Sequence, residues 1–585
     1  VTDFLGDFAM AATGWQAYER SLTRLLPLLG YQHVSLIGAS GDGGADVLAT
    51  KNSRRWLFQV KRMSQPVGPE VIERTLAAMR TYEADIPVIV SRNGFTQSLH
   101  AQRRQLAAEG INVQLWDQAA FRKQQAFAPL EALVTEYPNR YQPREYQSEA
   151  CAKILASWAN ESTQSSLVVL ATGLGKTFVA GESVRRMSAL KPELRVLVLA
   201  HTNDLVYQLE RAFWPFLRSN QATVVVNGTE KPAWADLSAF DIVFASRDTL
   251  VNATTAGIEL PPFDIVIVDE CHHLESKTYD SLLEDLGVGV GGGPFLIGLT
   301  ATPWRPGGAR LERWFDGPTV SIDLVKGLGS GFLANVDYRM YTDNVDWDQL
   351  KQLKGDRFTP RAINRTLFID DWDDAVVSRI SEVWAENPKT RGIVFCGTVS
   401  HADRLSERIN ALGFTSAAAI YSKGSSGVAM TPINRNRVLW DFADGKTGIL
   451  CAVDVLNEGV DVPDVNLVVF QRVTHSRRIF VQQLGRGLRL APGKSKVIVL
   501  DFVSDVRRFA AGLDLQRSLD EWGPRPGNEV RVKLPNSVTF MRATNKDDEA
   551  AAFLREWLGD LEAVEAAGED VSVLRYPPLN SAPLP

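Results

Sequence analysis

Cysteine is scarce in this 585-residue sequence, and its placement excludes more than its number does. The four residues, Cys151, Cys271, Cys396 and Cys451, lie far apart and form no CxxC pair. A zinc ribbon, an iron–sulfur cluster and a disulfide framework are therefore not expected, and each thiol should simply pack in an apolar run. Long hydrophobic runs are missing too, since none approaches the roughly 20 residues that span a bilayer. The first fifteen residues carry Asp3 and Asp7 where a signal peptide would carry Lys or Arg. The expectation is a cytoplasmic protein with no membrane partner. Excess positive charge is also absent, because the formal net charge is −6. That total says little about nucleic acid, since a basic lining confined to one groove would not show in it.

The composition that remains, 45% hydrophobic and 23% charged, is that of an ordinary folded chain. Its length is too great for one core, so three or four domains are expected. Apolar runs recur as SLVVLA, RVLVLA, DIVFAS, FDIVIVDE and FLIGLTAT, separated by stretches of helical period. Such runs between helices predict parallel strands buried on both faces. The pattern resumes at RGIVFCGT, TGILCAV, NLVVFQR and KVIVLDF. Two α/β lobes are therefore predicted, at residues 140–335 and 375–503, with a connector at 336–374 that shows no comparable apolar strand. Residues 1–125 read as a smaller α/β domain, with a helix, a Gly-rich turn, two short strands, a helix and a strand. Residues 504–585 form a tail of unassigned role, with a candidate strand pair and an acidic amphipathic helix.

After the strand LVVL comes Ala171-Thr172-Gly173-Leu174-Gly175-Lys176-Thr177, which opens directly into a predicted helix. Glycines let backbone N–H groups curl around phosphates, and the helix N-terminus adds a favourable dipole. Lys176 would hold the β- and γ-phosphates and Thr177 the Mg²⁺. Leu170 stands where the strict pattern asks for Gly, and GKT alone also fits an ordinary turn. A second element bears on that choice. FDIVIVDE ends in Asp269 and Glu270, one carboxylate to hold Mg²⁺ and one to orient and deprotonate water. An acidic helix start is the simpler alternative, but it does not explain both elements in order within one lobe.

These residues resemble the signature blocks of superfamily 2 helicases, over roughly residues 141–502. Arg144-Glu145-Tyr146-Gln147 is similar to the adenine-reading Q motif, which implies nucleotide contacts for Gln147 and Arg144. Asp269-Glu270-Cys271-His272 and Thr300-Ala301-Thr302 resemble the second and third motifs. NEGVDVP resembles the fifth and places Gly459 and Asp461 near the nucleotide. Gln482 to Arg489 matches the sixth, QxxGRxxR. The resemblance implies two RecA-like parallel-sheet lobes, ATP and Mg²⁺ as cofactors, and cofactor contacts from Thr172, Gly173, Gly175, Lys176 and Thr177. Arg486 and Arg489, three apart on a presumed helix, would stabilise charge on the leaving phosphate. His201-Thr202-Asn203, Ser246-Arg247 and Gly397-Thr398 resemble the blocks that grip a nucleic-acid backbone, although each alone also fits a helix cap.

In the N-terminal domain, Leu57, Gln59 and Lys61 alternate onto one face of a predicted strand. Asp46, on the strand before it, could meet Gln59 and Lys61 at one end of the hairpin. A metal-binding acid, an oxygen ligand and a lysine near a charged transition state make a phosphodiesterase site. The same spacing also fits a half-buried strand with a solvated Gln and Lys. From Trp15 to about Phe121 the chain resembles the Mrr-like branch of the PD-(D/E)xK endonucleases. The likeness rests on a leading helix with Glu19, the turn Gly41-Asp42-Gly43-Gly44-Ala45-Asp46, QxK at Gln59 to Lys61, and IVSRNGFTQSLHAQ. It implies that Asp46 and Gln59 hold Mg²⁺ or Mn²⁺, that Lys61 assists the attacking water, and that Glu19 adds a carboxylate. The fold class expected is thus α/β, with a PD-(D/E)xK nuclease-like domain before the two lobes. Gln59 stands where an acid is usual in the wider superfamily, and it should weaken metal binding.

Three functions stay open on the sequence. The first is a DNA translocase fused to an endonuclease in restriction or anti-phage defence, with double-stranded DNA and a homodimer or defence-system protein as partners. The second is a remodelling or repair helicase whose N-terminal domain binds DNA without cutting. The third is an RNA helicase.

Overall fold

The structure is a computed structural model. It describes residues 3–37, 44–127, 142–160, 162–218, 220–275, 277–301, 311–322, 326–327, 330–342, 357–358, 370–387, 390–421, 430–453, 465–471, 494, 496–503, 531–533 and 574–575. By its internal contacts the chain divides into two units. Unit 1 comprises 1–171, 175–323 and 431–440, and unit 2 comprises 172–174, 324–430 and 441–585.

Unit 1 begins with a mixed five-stranded sheet in the order β1-β2-β3-β4-β5. The strands are β1 (Gln32–Leu36), β2 (Val47–Lys51), β3 (Arg54–Lys61), β4 (Ile86–Ser91) and β5 (Gln114–Trp116). β1 to β3 run antiparallel, and β3, β4 and β5 are parallel. Asn52 and Ser53, both at positive φ, make the two-residue turn whose twist suits the β2–β3 hairpin. Strand alternation splits the core in two. Val47, Phe58 and Val60 pack on helix α1 (Trp15–Leu25), with Tyr18, Leu22 and Leu25. Leu48 and Leu57 face α2 (Glu70–Thr81), with Ala78. Helices α3 (Gln97–Ala108) and α4 (Gln118–Phe127) complete the domain.

The rest of unit 1 is built on a seven-stranded parallel sheet, ordered β12-β6-β11-β10-β7-β9-β8. Its strands are β6 (Ser165–Leu170), β7 (Val196–Ala200), β8 (Thr223–Val226), β9 (Ile242–Ser246), β10 (Ile265–Asp269), β11 (Phe295–Thr300) and β12 (Pro318–Ile322). Every residue of β7, β9, β10 and β11 is buried, as continuous apolar runs require. Helices α5 (Glu145–Ala159), α6 (Lys176–Leu190), α7 (Asn203–Phe213), α8 (Arg247–Thr255) and α9 (Lys277–Asp285) accompany it. The loops at the carboxyl ends of β6, β10 and β11 therefore open at one edge, where doubly wound sheets hold ligands.

Unit 2 holds a second seven-stranded parallel sheet, ordered β16-β17-β15-β18-β19-β13-β20. The members are β13 (Asn335–Thr342), β15 (Gly392–Cys396), β16 (Ala417–Tyr421), β17 (Ile449–Val453), β18 (Leu467–Gln471), β19 (Lys496–Val503) and β20 (Arg531–Lys533). A short antiparallel pair joins β14 (Arg357–Phe358) to β21 (Leu574–Arg575). Helices α10 (Asp370–Glu386) and α11 (Val399–Leu412) pack on the large sheet through Val376, Ile380, Leu405 and Ile409. One element departs from the expected connector. Residues 335–342 pair with β19 over eight positions and also receive β20 from the tail. The sequence NVDYRMYT mixes polar and apolar residues, so it carries no apolar run to announce a central strand.

All four cysteines are buried, and no disulfide joins them among the described residues. No helix among the described residues is long and apolar enough to cross a membrane.

Candidate functional sites

The loop after β6 bends through Gly173 (φ 94°) and Gly175 (φ 83°), both in backbone conformations that glycine adopts without strain. Gly175 also leaves room for a neighbour, because a Cβ there would lie 2.7 Å from Gln147 Nε2. The other end of that amide caps α5, its Oε1 accepting from Arg144 N at 2.9 Å. Gln147 therefore links the start of α5 to the Gly-rich loop after β6. Thr177 follows Lys176 in the first turn of α6.

Lys176 Nζ lies 2.7 Å from Glu270 Oε1, and both side chains are largely buried. Glu270 sits just past β10 with φ 49°, the left-handed region that a non-glycine residue enters at a cost of about 1–3 kcal/mol. Burying Ile265, Val266, Ile267 and Val268 in the preceding strand contributes about 1.5–3 kcal/mol each, which is enough to hold that turn. His272 Nδ1 lies 3.3 Å from Glu270 Oε2 and 3.1 Å from Thr300 Oγ1, so the second and third motifs meet at one ring. The His273 ring lies between those of His272 and His201, at centroid distances of 4.3 and 4.6 Å.

Charge is unevenly shared between the two acids. Burial, reinforced by Glu270, pushes Asp269 up to about 6 against the pull of Lys176. Burial would raise Glu270 as well, but Lys176 and the His272 contact outweigh it and hold its carboxyl well below the usual range. Burial opposes the charge on Lys176, yet the two acids prevail and raise its pKa. Asp269 Oδ1 is buried and accepts no hydrogen bond among the described residues. An oxygen so placed, beside a Gly-rich loop, fits a divalent cation.

In the N-terminal domain the hairpin register continues past Val47↔Phe58, which puts Asp46 opposite Gln59. Asp46 is buried just before β2, and its Oδ2 accepts from Val60 N at 2.5 Å. Gln59 is buried toward α2, where its Oε1 accepts from Thr75 Oγ1. A Cβ on Gly44 (φ 97°) would lie 3.1 Å from Gln59 Nε2, so this glycine opens the space beside the amide. Lys61 is half-buried at the end of β3, paired with Ser91. Glu19 is buried on α1, which packs on the opposite face of the sheet from Gln59. The structure thus brings Asp46 and Gln59 together, with Lys61 two residues further along. Among the described residues no three His, Cys, Asp or Glu side chains are arranged to hold a metal. One carboxylate and one amide oxygen make a sparse but chemically suitable donor pair.

Three family models match the chain in order. Residues 10–124 match one described as "Restriction endonuclease", residues 140–305 "Type III restriction enzyme, res subunit", and residues 375–491 "Helicase conserved C-terminal domain". The chain joins an Mrr-type restriction endonuclease domain to a superfamily 2 helicase.

Curated relatives of this restriction-type helicase include the type I restriction enzyme EcoAI endonuclease subunit of Escherichia coli. It is 27% identical over 464 residues, covering 73% of this chain and 56% of that protein. The putative mitochondrial ATP-dependent helicase irc3 of Schizosaccharomyces pombe is 25% identical, covering 63% of this chain and 59% of the relative. The chain thus spans little more than half the length of these two relatives. Among solved structures, an ATP-dependent type ISP restriction-modification enzyme, LlaBIII, bound to DNA aligns with 89% of this chain and 40% of its own. Its TM-score is 0.49, at 17% identity. The α/β class with two RecA-like lobes is read from the helicase's own parallel sheets and the family matches.

Several expected helicase residues lie outside the described residues: Gly459, Asp461, Arg486, Arg489 and Thr302. The acidic tail helix and most of the Gly-rich turn before Asp46 do so too. Thr202 and Thr398 each cap a helix, accepting from Leu205 N and His401 N. Sequence reasoning passed over His272 as an individual contact. Its spacing from Glu270 gives no hint that the ring turns toward Thr300, which arrives from another strand.

Proposed function

We propose that the chain is an ATP-driven DNA translocase coupled to a metal-dependent endonuclease, acting in restriction or defence against foreign DNA. The observation that carries this reading is the order of the matches, with an endonuclease domain at 10–124 directly before a restriction-type motor at 140–305. The substrate would be double-stranded DNA, in the cytoplasm, with cleavage by a pair of copies or beside a partner of the same system.

In the motor, Lys176 is the switch. Its ammonium contacts Glu270 at 2.7 Å and would exchange that contact for the β- and γ-phosphates of ATP. Glu270 is then free to orient and deprotonate water. Mg²⁺ held by Thr177 and Asp269 would offset the phosphate charge. His272, touching both Glu270 and Thr300, reports the change to the third motif. Gln147 and Arg144 would position the base, and Thr202, Arg247 and Thr398 the nucleic-acid backbone.

In the nuclease domain, Asp46 and Gln59 would hold Mg²⁺ or Mn²⁺, which supplies Lewis-acid activation of the phosphodiester. Lys61 would stabilise the developing charge. One observation favours a domain that binds without cutting, namely that Gln59 Oε1 is already engaged by Thr75. Cleavage and ATP hydrolysis measured together on modified and unmodified duplex DNA test the proposal. ATP-stimulated cutting of one duplex supports it. ATP hydrolysis with no cutting of any DNA supports the binding module instead, and stimulation by RNA alone supports an RNA helicase.

A further inference from the structure

Arg20 and Arg24 lie one turn apart on α1, both buried, and both reach out of their own domain into the motor part of unit 1. Arg20 Nε is 3.0 Å from Glu210 Oε2 on α7, and its Nη1 donates to Glu230 Oε2. Thr13 adds a third contact, accepting from Arg20 Nη2 at 3.3 Å and donating to Glu230 Oε2. Arg24 donates to two carbonyls, Gln221 O and Arg218 O, each at 2.9 Å. The Phe8 ring stacks on Phe240, and Ala9 belongs to the apolar core of the motor sheet. Buried charges are costly unless matched, and here Arg20 is matched across the seam by Glu210 and Glu230, while Arg24 is held by backbone carbonyls.

The seam leads toward the nucleic-acid grip. Glu230 closes the turn Asn227-Gly228-Thr229-Glu230, where Asn227 Oδ1 accepts from the Thr229 and Glu230 amides at 2.9 and 2.8 Å. The same turn touches α7 twice, as Gly228 N donates to Asn203 Oδ1 at 3.4 Å and Tyr207 shares a 2.9 Å bond with Thr229. Asn203 is the first residue of α7 and part of the block expected to hold the nucleic-acid backbone. On the far side, Arg20 adjoins Glu19, the expected nuclease carboxylate.

We infer that Arg20 is a positioning residue: through Glu210 and Glu230 it fixes the Glu19 helix to the strand-gripping end of α7, so that nuclease domain and motor lobe respond to DNA as one body. The link to cleavage rests on the nuclease reading above, whereas the mechanical link does not.

The test is amide hydrogen exchange on the full chain with and without duplex DNA, alongside cleavage and DNA-stimulated ATP hydrolysis. In the wild type, DNA should slow exchange in both 203–213 and 15–25. Arg20→Ala should keep the slowing at 203–213 and keep ATP hydrolysis within about twofold. It should lose the slowing at 15–25 and cut cleavage by about tenfold, the scale of ordinary coupling between sites. Arg20→Lys should recover part of both. Glu230→Gln, which keeps the shape of the turn, gives the same pattern if Arg20→Ala fails to fold. Absence of DNA-dependent slowing at 15–25 in the wild type, or its survival in both Arg20→Ala and Glu230→Gln, overturns the inference. A wild type that cuts no DNA overturns the nuclease reading alone, and the exchange result still decides the link.

Discussion

Lys176 and Glu270, 94 positions apart in sequence, form a largely buried ion pair with Nζ 2.7 Å from Oε1. On the proposed reading, the lysine that would bind phosphate is held here by the residue that would act on water. Glu270→Gln removes the carboxylate while sparing the phosphate-binding loop. It should still bind ATP, and its turnover should fall by about 10²–10⁴-fold, the usual worth of a positioned base. Nucleotide binding by fluorescence and steady-state hydrolysis, measured side by side, check this. Equal loss of binding would mean that Glu270 serves mainly to fold the loop.

Lys61→Ala should abolish DNA cleavage and leave DNA-stimulated ATP hydrolysis within about twofold, since Lys61 contributes to neither motor sheet nor nucleotide loop. Gln59→Glu replaces an amide oxygen by a charged ligand, and should lower the Mg²⁺ or Mn²⁺ concentration needed for half-maximal cutting. A metal titration of cleavage reads the difference, and an unchanged midpoint would remove Gln59 from the ligand set.

Arg489→Ala should retain ATP binding and lose turnover by about 10³–10⁵-fold, the range for arginines that stabilise a leaving phosphate. This prediction rests on the QxxGRxxR block alone. Full activity in the variant would show that the sixth-motif assignment of Arg489 is mistaken.

Asp373, fully buried on α10, faces His401 Nε2 at 3.1 Å and Arg404 Nη2 at 3.0 Å on α11. Burial alone would raise its pKa, but His401 and Arg404 outweigh it and hold the carboxyl below its ordinary value. The folded-state pKa lies below the unfolded one. The stabilisation is therefore present above the ordinary carboxylate range and is lost as pH falls through the folded value. Thermal melting should show the wild type losing its advantage over Asp373→Asn below about pH 4. At neutral pH the substitution should cost about 1–3 kcal/mol, as for a buried group left poorly paired. A melting difference that does not change with pH would exclude an ionised Asp373.

How far the sequence reached follows from which interactions are local. The Gly-rich loop before Lys176, the acids at the tip of β10 and the alternation that sets Gln59 beside Asp46 are each written in a short stretch of chain. Backbone geometry and strand period fix them before any tertiary contact forms. The apolar runs likewise announce β6, β7, β9, β10 and β11, because strands buried on both faces leave no room for polar residues. β13 was invisible for the opposite reason. Its place is set by pairing with β19 and β20, which no pattern within NVDYRMYT records.

By itself, then, the sequence determined which side chains are available: a lysine at the end of a Gly-rich loop, two adjacent acids at a strand tip, and a hairpin with Asp46, Gln59 and Lys61. The tertiary structure decided which of these meet. It set Lys176 on Glu270, turned His272 between Glu270 and Thr300, gave Gln59 to Thr75, and locked Arg20 to Glu210 and Glu230 some 200 positions away. Those contacts join segments distant in the chain, and their geometry exists only once the sheets have packed. A residue's type and its near neighbours cannot encode it.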